Sequence, residues 1–168
     1  MARKRRVKSP SSEKKESTIP EKTRLDLELA SPVAAIVQFL NILADECSAR
    51  RSVEGYTDLG KVRVENNISE IEIGVTEEKE VFNVLIRFVL KVHRTESGKE
   101  TTEPTVEMSC RFVLIYFLKS MEGIDEANLI AFGRTSGVFS AWPYWREFVH
   151  STSLRLGVPS LVLPTFRI

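Results

Sequence analysis

Three stretches of strict two-residue alternation limit what this chain can fold into more than any other feature. Ile71, Ile73 and Val75 share one side of residues 68–76, with Glu70 and Glu72 on the other. Phe82, Val84, Ile86, Phe88, Leu90 and Val92 line one side of residues 80–94, and Val106, Met108, Cys110, Phe112, Leu114 and Tyr116 one side of residues 105–119. Side chains alternate across a β-strand, so each stretch is a strand with one apolar face. The links between them are short or carry polar turn residues such as Ser97-Gly98, which predicts hairpins and an antiparallel meander. Val81, Leu85, Val89, Val113, Ile115 and Phe117 fall on the opposite side, which is therefore not wholly polar. Helices from the C-terminal part can cover only one face, so the second is expected to be buried against another subunit.

Those helices come from residues 125–156. A short helix is expected over 125–132, followed by a turn at Gly133-Arg-Thr-Ser-Gly137. Ala141, Trp145, Phe148, Val149, Thr152 and Leu156 then recur at three- and four-residue spacing, which places them on one helical face, with Arg146, Glu147, His150 and Arg155 on the other. Pro143 has no N–H to offer, so a regular helix is expected to begin near Trp142, or to be kinked if it begins at Val138. Gly157 suits the left-handed residue that ends a helix, and Pro159 forbids continuation.

Upstream the pattern is weaker. Residues 1–24 hold nine Lys or Arg against three Glu, although the whole chain carries only +1. This tail has scarcely an apolar residue and is expected to be disordered, leaving 25–168 as the folded domain. Arg3-Lys-Arg-Arg6 could contact nucleic acid, through counterion release, or an anionic membrane surface, but no aromatic residue accompanies it to stack a base, and a solvated tail is the reading taken. Ser31-Pro32 reads as a cap and first residue of a short helix over 32–38. Residues 39–52 read as a first strand of poor periodicity. Residues 53–67 then form a long connection with turn signals at Glu54-Gly55 and Asn66-Asn67, carrying the apolar residues Tyr56, Leu59, Val62 and Val64.

Several functions are argued against. The longest apolar run, residues 112–118, is far shorter than the roughly 20 residues a membrane helix needs. Cys47 and Cys110 fit no metal spacing and are too few for a disulfide framework, so two free thiols in a reducing, cytoplasmic compartment are expected. His93 and His150 have no partner at catalytic or metal spacing. Gly133 and Gly137 lack the lysine of a phosphate loop, and no carboxylate pair sits in an apolar setting. No enzyme, metal or cofactor is expected. What the chain has in surplus is apolar surface.

The order of elements, together with Trp142-Pro-Tyr-Trp-Arg-Glu147 followed by Leu156-Gly-Val-Pro-Ser-Leu-Val-Leu163, resembles the SecB family of export chaperones. The resemblance implies an α+β fold in which a four-stranded antiparallel sheet has a long crossover loop after strand 1, with C-terminal helices packed on one face. It also implies a homotetramer, a dimer of dimers, in which Trp142, Trp145, Phe148 and Val149 pack beneath the sheet and between subunits. Its activity would be that of an ATP-independent holdase binding unfolded polypeptides in hydrophobic grooves, either preproteins for export or a labile antitoxin. Tyr56, Leu59, Val62, Phe39 and Leu43 are the expected client-binding residues. Glu70 and Glu72 could present an acidic sheet face to the motor SecA. Members serving general export carry a flexible acidic C-terminal tail that docks on SecA, whereas this chain ends at Ile168. That difference and the basic N-terminal extension bring an antitoxin chaperone forward. The alternative from another class is an oligomeric adaptor that binds nucleic acid through its basic tail.

Overall fold

The computed structural model describes residues 20–52, 60–76, 80–96, 99–100 and 102–166. The elements run α1 (Glu21–Ile36), β1 (Val37–Arg51), β2 (Val62–Val75), β3 (Val81–Glu96), a two-residue β4 (Lys99–Glu100), β5 (Val106–Leu118), α2 (Glu126–Phe132), a π-helical turn (Gly133–Gly137) and α3 (Val138–Arg155). The long strands form an antiparallel sheet in the order β1-β5-β3-β2, and β4 pairs with the end of β3. β2, β3 and β5 are the expected meander. β1 joins β5 at the far edge, so the link from β1 to β2 connects opposite edges of the sheet.

The apolar faces of β3 and β5 make the core: Phe82, Val84, Ile86, Phe88 and Leu90 on one strand and Met108, Cys110 and Leu114 on its neighbour are fully buried. Among the described residues the helical layer closes this face alone. Phe88 stacks on Trp145, which stacks on Phe148, with ring centroids 5.5 and 5.7 Å apart. On the opposite face Val81, Leu85, Val89, Val113, Ile115 and Phe117 are only half-buried.

Several expectations need correction. The first helix runs through Pro32 rather than starting there, so residues 21–24, assigned to the tail, are helical. Ala30 and Val33 are buried, and Asn128 donates from Nδ2 to the Leu29 carbonyl at 2.9 Å, so tertiary anchoring outweighs the bond that Pro32 cannot make. The alternation of β1 is obscured by register shifts at Phe39/Asn41 and Ala44/Glu46, each of which turns the following side chains to the other face. β2 starts at Val62, six residues earlier than expected, because Asn66 and Asn67 pair with Leu90 and Val89 instead of turning.

The Gly133–Gly137 segment is no turn either. It links α2 to α3 as a π-helical turn, and a Cβ on Gly133 would lie 2.8 Å from Ile73 Cδ1, while one on Gly137 would lie 3.1 Å from Val84 Cγ1. The glycines let this backbone sit directly on the sheet. α3 begins at Val138 with Pro143 inside it, and Gly157 follows at φ +66° as its sequence promised. Finally, Cys47 and Cys110 face each other across the β1/β5 ladder, Cα atoms 4.1 Å apart, and are joined as a disulfide rather than held as free thiols. Their 63-residue separation hid a pairing that only the register reveals.

Candidate functional site: an apolar groove beside edge strand β2

The two edge strands carry much of the exposed apolar surface. On β2 these residues are Val62, Val64, Ile68 and Val75; on β1 they are Phe39, Leu40 and Leu43. An edge strand offers unpaired main-chain N–H and C=O groups on its outer side, so apolar side chains beside such an edge can receive an extended chain as an added strand.

At β2 the rest of the fold builds a wall. After Gly157 the chain reverses and runs back along α3 as an extended segment, residues 159–166. Between it and β2 lies a cleft of about 290 Å³, flanked by Val64 and Asn66 on one side and Leu161 to Pro164 on the other, over Leu90 and Trp142. Both walls are fixed by side chains of α3. The indole N–H of Trp145 donates to Asn66 Oδ1 at 2.8 Å, which pins β2 to the helix. Trp142 Nε1 donates to the Pro164 carbonyl at 3.0 Å and Arg146 Nε to the Leu163 carbonyl at 2.9 Å. Ser153 Oγ accepts from the Leu161 amide at 3.1 Å, and Ser160 Oγ lies 2.7 Å from His150 Nδ1. Val162 stands 71% exposed at the rim while Leu163 is 6% exposed beneath it.

The residues singled out from the sequence fall in three places. Tyr56 and Leu59 lie outside the described residues. Val62 belongs to β2 rather than to a connecting loop, close to the groove. Phe39 and Leu43 sit on β1 at the opposite edge, paired with Tyr116 and Val113 respectively, and on opposite faces of the sheet. They do not meet Val62. Trp145 and Val149 are fully buried, Trp142 is nearly so, and Phe148 packs partly buried against the core. The groove residues missed were Val64, Leu90 and Leu161 to Pro164, which come together only through the sheet order and the reversal after Gly157.

Glu70 and Glu72 do share the outer sheet face, but that face is not simply acidic. Arg87 donates from Nε to Glu70 at 2.8 Å and from Nη2 to Glu46 at 2.7 Å, and Arg111 pairs with Asp45 and Glu46. The hydrogen bond from Arg87 holds the Glu70 carboxyl below the usual carboxylate range, and the hydrogen bond from Arg50 does the same for Glu107. Glu70, Glu46, Asp45 and Glu107 are held in cross-strand pairs with arginine, which reduces the field that face could offer a cationic partner.

Among the described residues no group of three His, Cys, Asp or Glu is placed to hold a metal ion, and no helix is long and apolar enough to cross a membrane. No known family model and no curated protein matches the chain. Among solved structures, the SecB-like chaperone Rv1957 of Mycobacterium tuberculosis, in complex with a ChAD peptide from the antitoxin HigA1, superposes with a TM-score of 0.71 at 20% identity, covering 88% of this chain and 99% of that one. A protein of unknown function from Streptococcus agalactiae matches at a TM-score of 0.35 and 9% identity, covering 76% of this chain and 96% of that one, and carries no argument. The chain therefore has a SecB-like fold.

Proposed function

We propose that this chain is an ATP-independent chaperone that holds unfolded polypeptides in extended form along the groove beside β2. The observation that carries this reading is the pairing of an edge strand, bearing the exposed Val62, Val64 and Ile68, with an apolar cleft over Leu90 and Trp142. Main-chain pairing gives affinity without regard to sequence, and shallow apolar contacts add to it for any client that exposes hydrophobic residues. A folded client offers neither. The SecB-like fold supports the reading, as does the fact that the mycobacterial neighbour was solved with an antitoxin peptide.

Of the two client classes, a labile antitoxin fits better than preproteins handed to SecA, because Glu70 on the outer sheet face is engaged by Arg87. The half-buried apolar residues of that face, and the exposed Phe139, Tyr144 and Leu154 of α3, fit a homotetramer assembled as a dimer of dimers. A cytoplasmic location rests on the chaperone reading alone, since the joined cysteines no longer argue for a reducing compartment. No chemical step is assigned to the chain.

The test is suppression of aggregation. Added without nucleotide at near-stoichiometric ratio to a chemically unfolded client diluted from denaturant, the protein should slow the rise in light scattering. An unchanged scattering curve would sink the proposal.

A further inference from the structure

The segment that walls the groove has the chemistry of a client. Residues 160–164, Ser-Leu-Val-Leu-Pro, are extended and belong to no strand; Leu161 is half-buried, Val162 exposed, Leu163 buried and Pro164 exposed. That is the two-residue alternation of an extended peptide lying on a surface. The groups that hold it lie on α3 at 142, 146, 150 and 153, spacings of four, four and three that form one stripe of the helix. Three of them bind main-chain atoms and read no side-chain identity: Trp142 and Arg146 donate to carbonyls, and Ser153 accepts from an amide. Ser153 is fully buried and its own hydroxyl donates to the Val149 carbonyl at 2.8 Å, so it is set as an acceptor for whatever N–H arrives.

We infer that the stripe Trp142–Arg146–Ser153 is a main-chain-reading surface for extended polypeptide, that the chain's own residues 160–166 occupy it as a resident pseudo-client, and that a client displaces them. The inference rests on the chaperone reading and adds to it a second face of the site and a device that sets its affinity. A segment occupying its own site lowers the apparent affinity for an incoming chain by the fraction of molecules in which the site is free. Weak binding suits a holdase that must release its clients. It also keeps Leu90, Trp142 and Leu163 from standing open to solvent between clients. The occupant is an extended stretch with apolar residues at alternate positions, since that is what the stripe holds here.

The probe is the free decapeptide Pro-Ser-Leu-Val-Leu-Pro-Thr-Phe-Arg-Ile, the sequence of residues 159–168, titrated into the full chain. Hydrogen exchange of the unaltered protein should show the Leu161 amide losing protection as the peptide, or a reduced and carboxymethylated client protein, is added. Leu163→Ser, which loosens the resident segment while leaving the α3 stripe intact, should bind the peptide about tenfold tighter. In that background Arg146→Ala should weaken it roughly fivefold by removing one charge-assisted hydrogen bond. Peptide binding that leaves Leu161 protected, no gain in Leu163→Ser, or no peptide binding at all overturns the inference. Suppression of client aggregation is measured on the same samples. A protein that suppresses aggregation while its C-terminal segment stays protected loses this inference and keeps its chaperone function; one that does neither loses both.

Discussion

Trp145 joins the two halves of the molecule through one side chain. Its ring is sandwiched between Phe88 of β3 and Phe148 of α3, while its indole N–H holds Asn66 of β2. Removing a fully buried tryptophan leaves a cavity and orphans Asn66, so Trp145→Ala should cost about 3–5 kcal/mol in urea unfolding. Asn66→Leu should cost less in stability yet unsettle β2, because it leaves only the indole N–H without its partner. Glu70 and Glu107 act differently, since both are ionised and hydrogen-bonded to arginine in the fold and their carboxyl pKa values are depressed. Their contribution is complete above the ordinary glutamate pKa of about 4.3 and is lost as pH falls below it through the depressed folded values. Thermal melts between pH 7 and 3 should show it, with Glu70→Gln and Glu107→Gln flattening the acid limb.

The sheet edges set the element-scale expectations. Val64 is exposed and flanks the groove, so Val64→Asp should leave the melting temperature nearly unchanged while weakening client retention in a competition assay; Val75→Asp, further along the same edge, serves as the control. Equal loss in both would place the client elsewhere. The alternation of β3 and β5 was plain in the sequence because each is covered on one face by a continuous helical layer. The second half of β2 and α2 were legible too, while β1, the start of β2 and α1 were blurred for local reasons. Two bulges break the period of β1, an asparagine needed by an indole interrupts β2, and a serine-proline pair inside α1 imitates a helix start. The groove itself could not be read, because Val64, Leu90 and Leu163 are far apart in the chain and meet through topology rather than through a motif. Its anchor, the segment Trp142 to Glu147, was visible as a pattern, but what its tryptophan and arginine bind was not.

At the scale of the whole molecule, one layer of helices covers one face of one sheet and leaves substantial apolar surface on the other face, on both edges and on α3. Light scattering of the purified protein should accordingly report four protomers, and a monomer at micromolar concentration would contradict the dimer of dimers. The strand order has a consequence for biosynthesis. Among the described strands β1 leaves the ribosome first, yet its neighbour there, β5, is the last to be made, and the two cysteines that join them stand 63 residues apart. The hairpins of β2, β3 and β5 can close locally as they emerge, while Phe39, Leu40 and Leu43 wait unpaired until β5 offers an edge. Pulse-labelled amides should therefore become protected in β3 and β5 before β1. For that interval the nascent chain is itself a polypeptide with an exposed apolar strand, the kind of client the proposed holdase function would take, and on that proposal copies completed earlier would attend the folding of later ones.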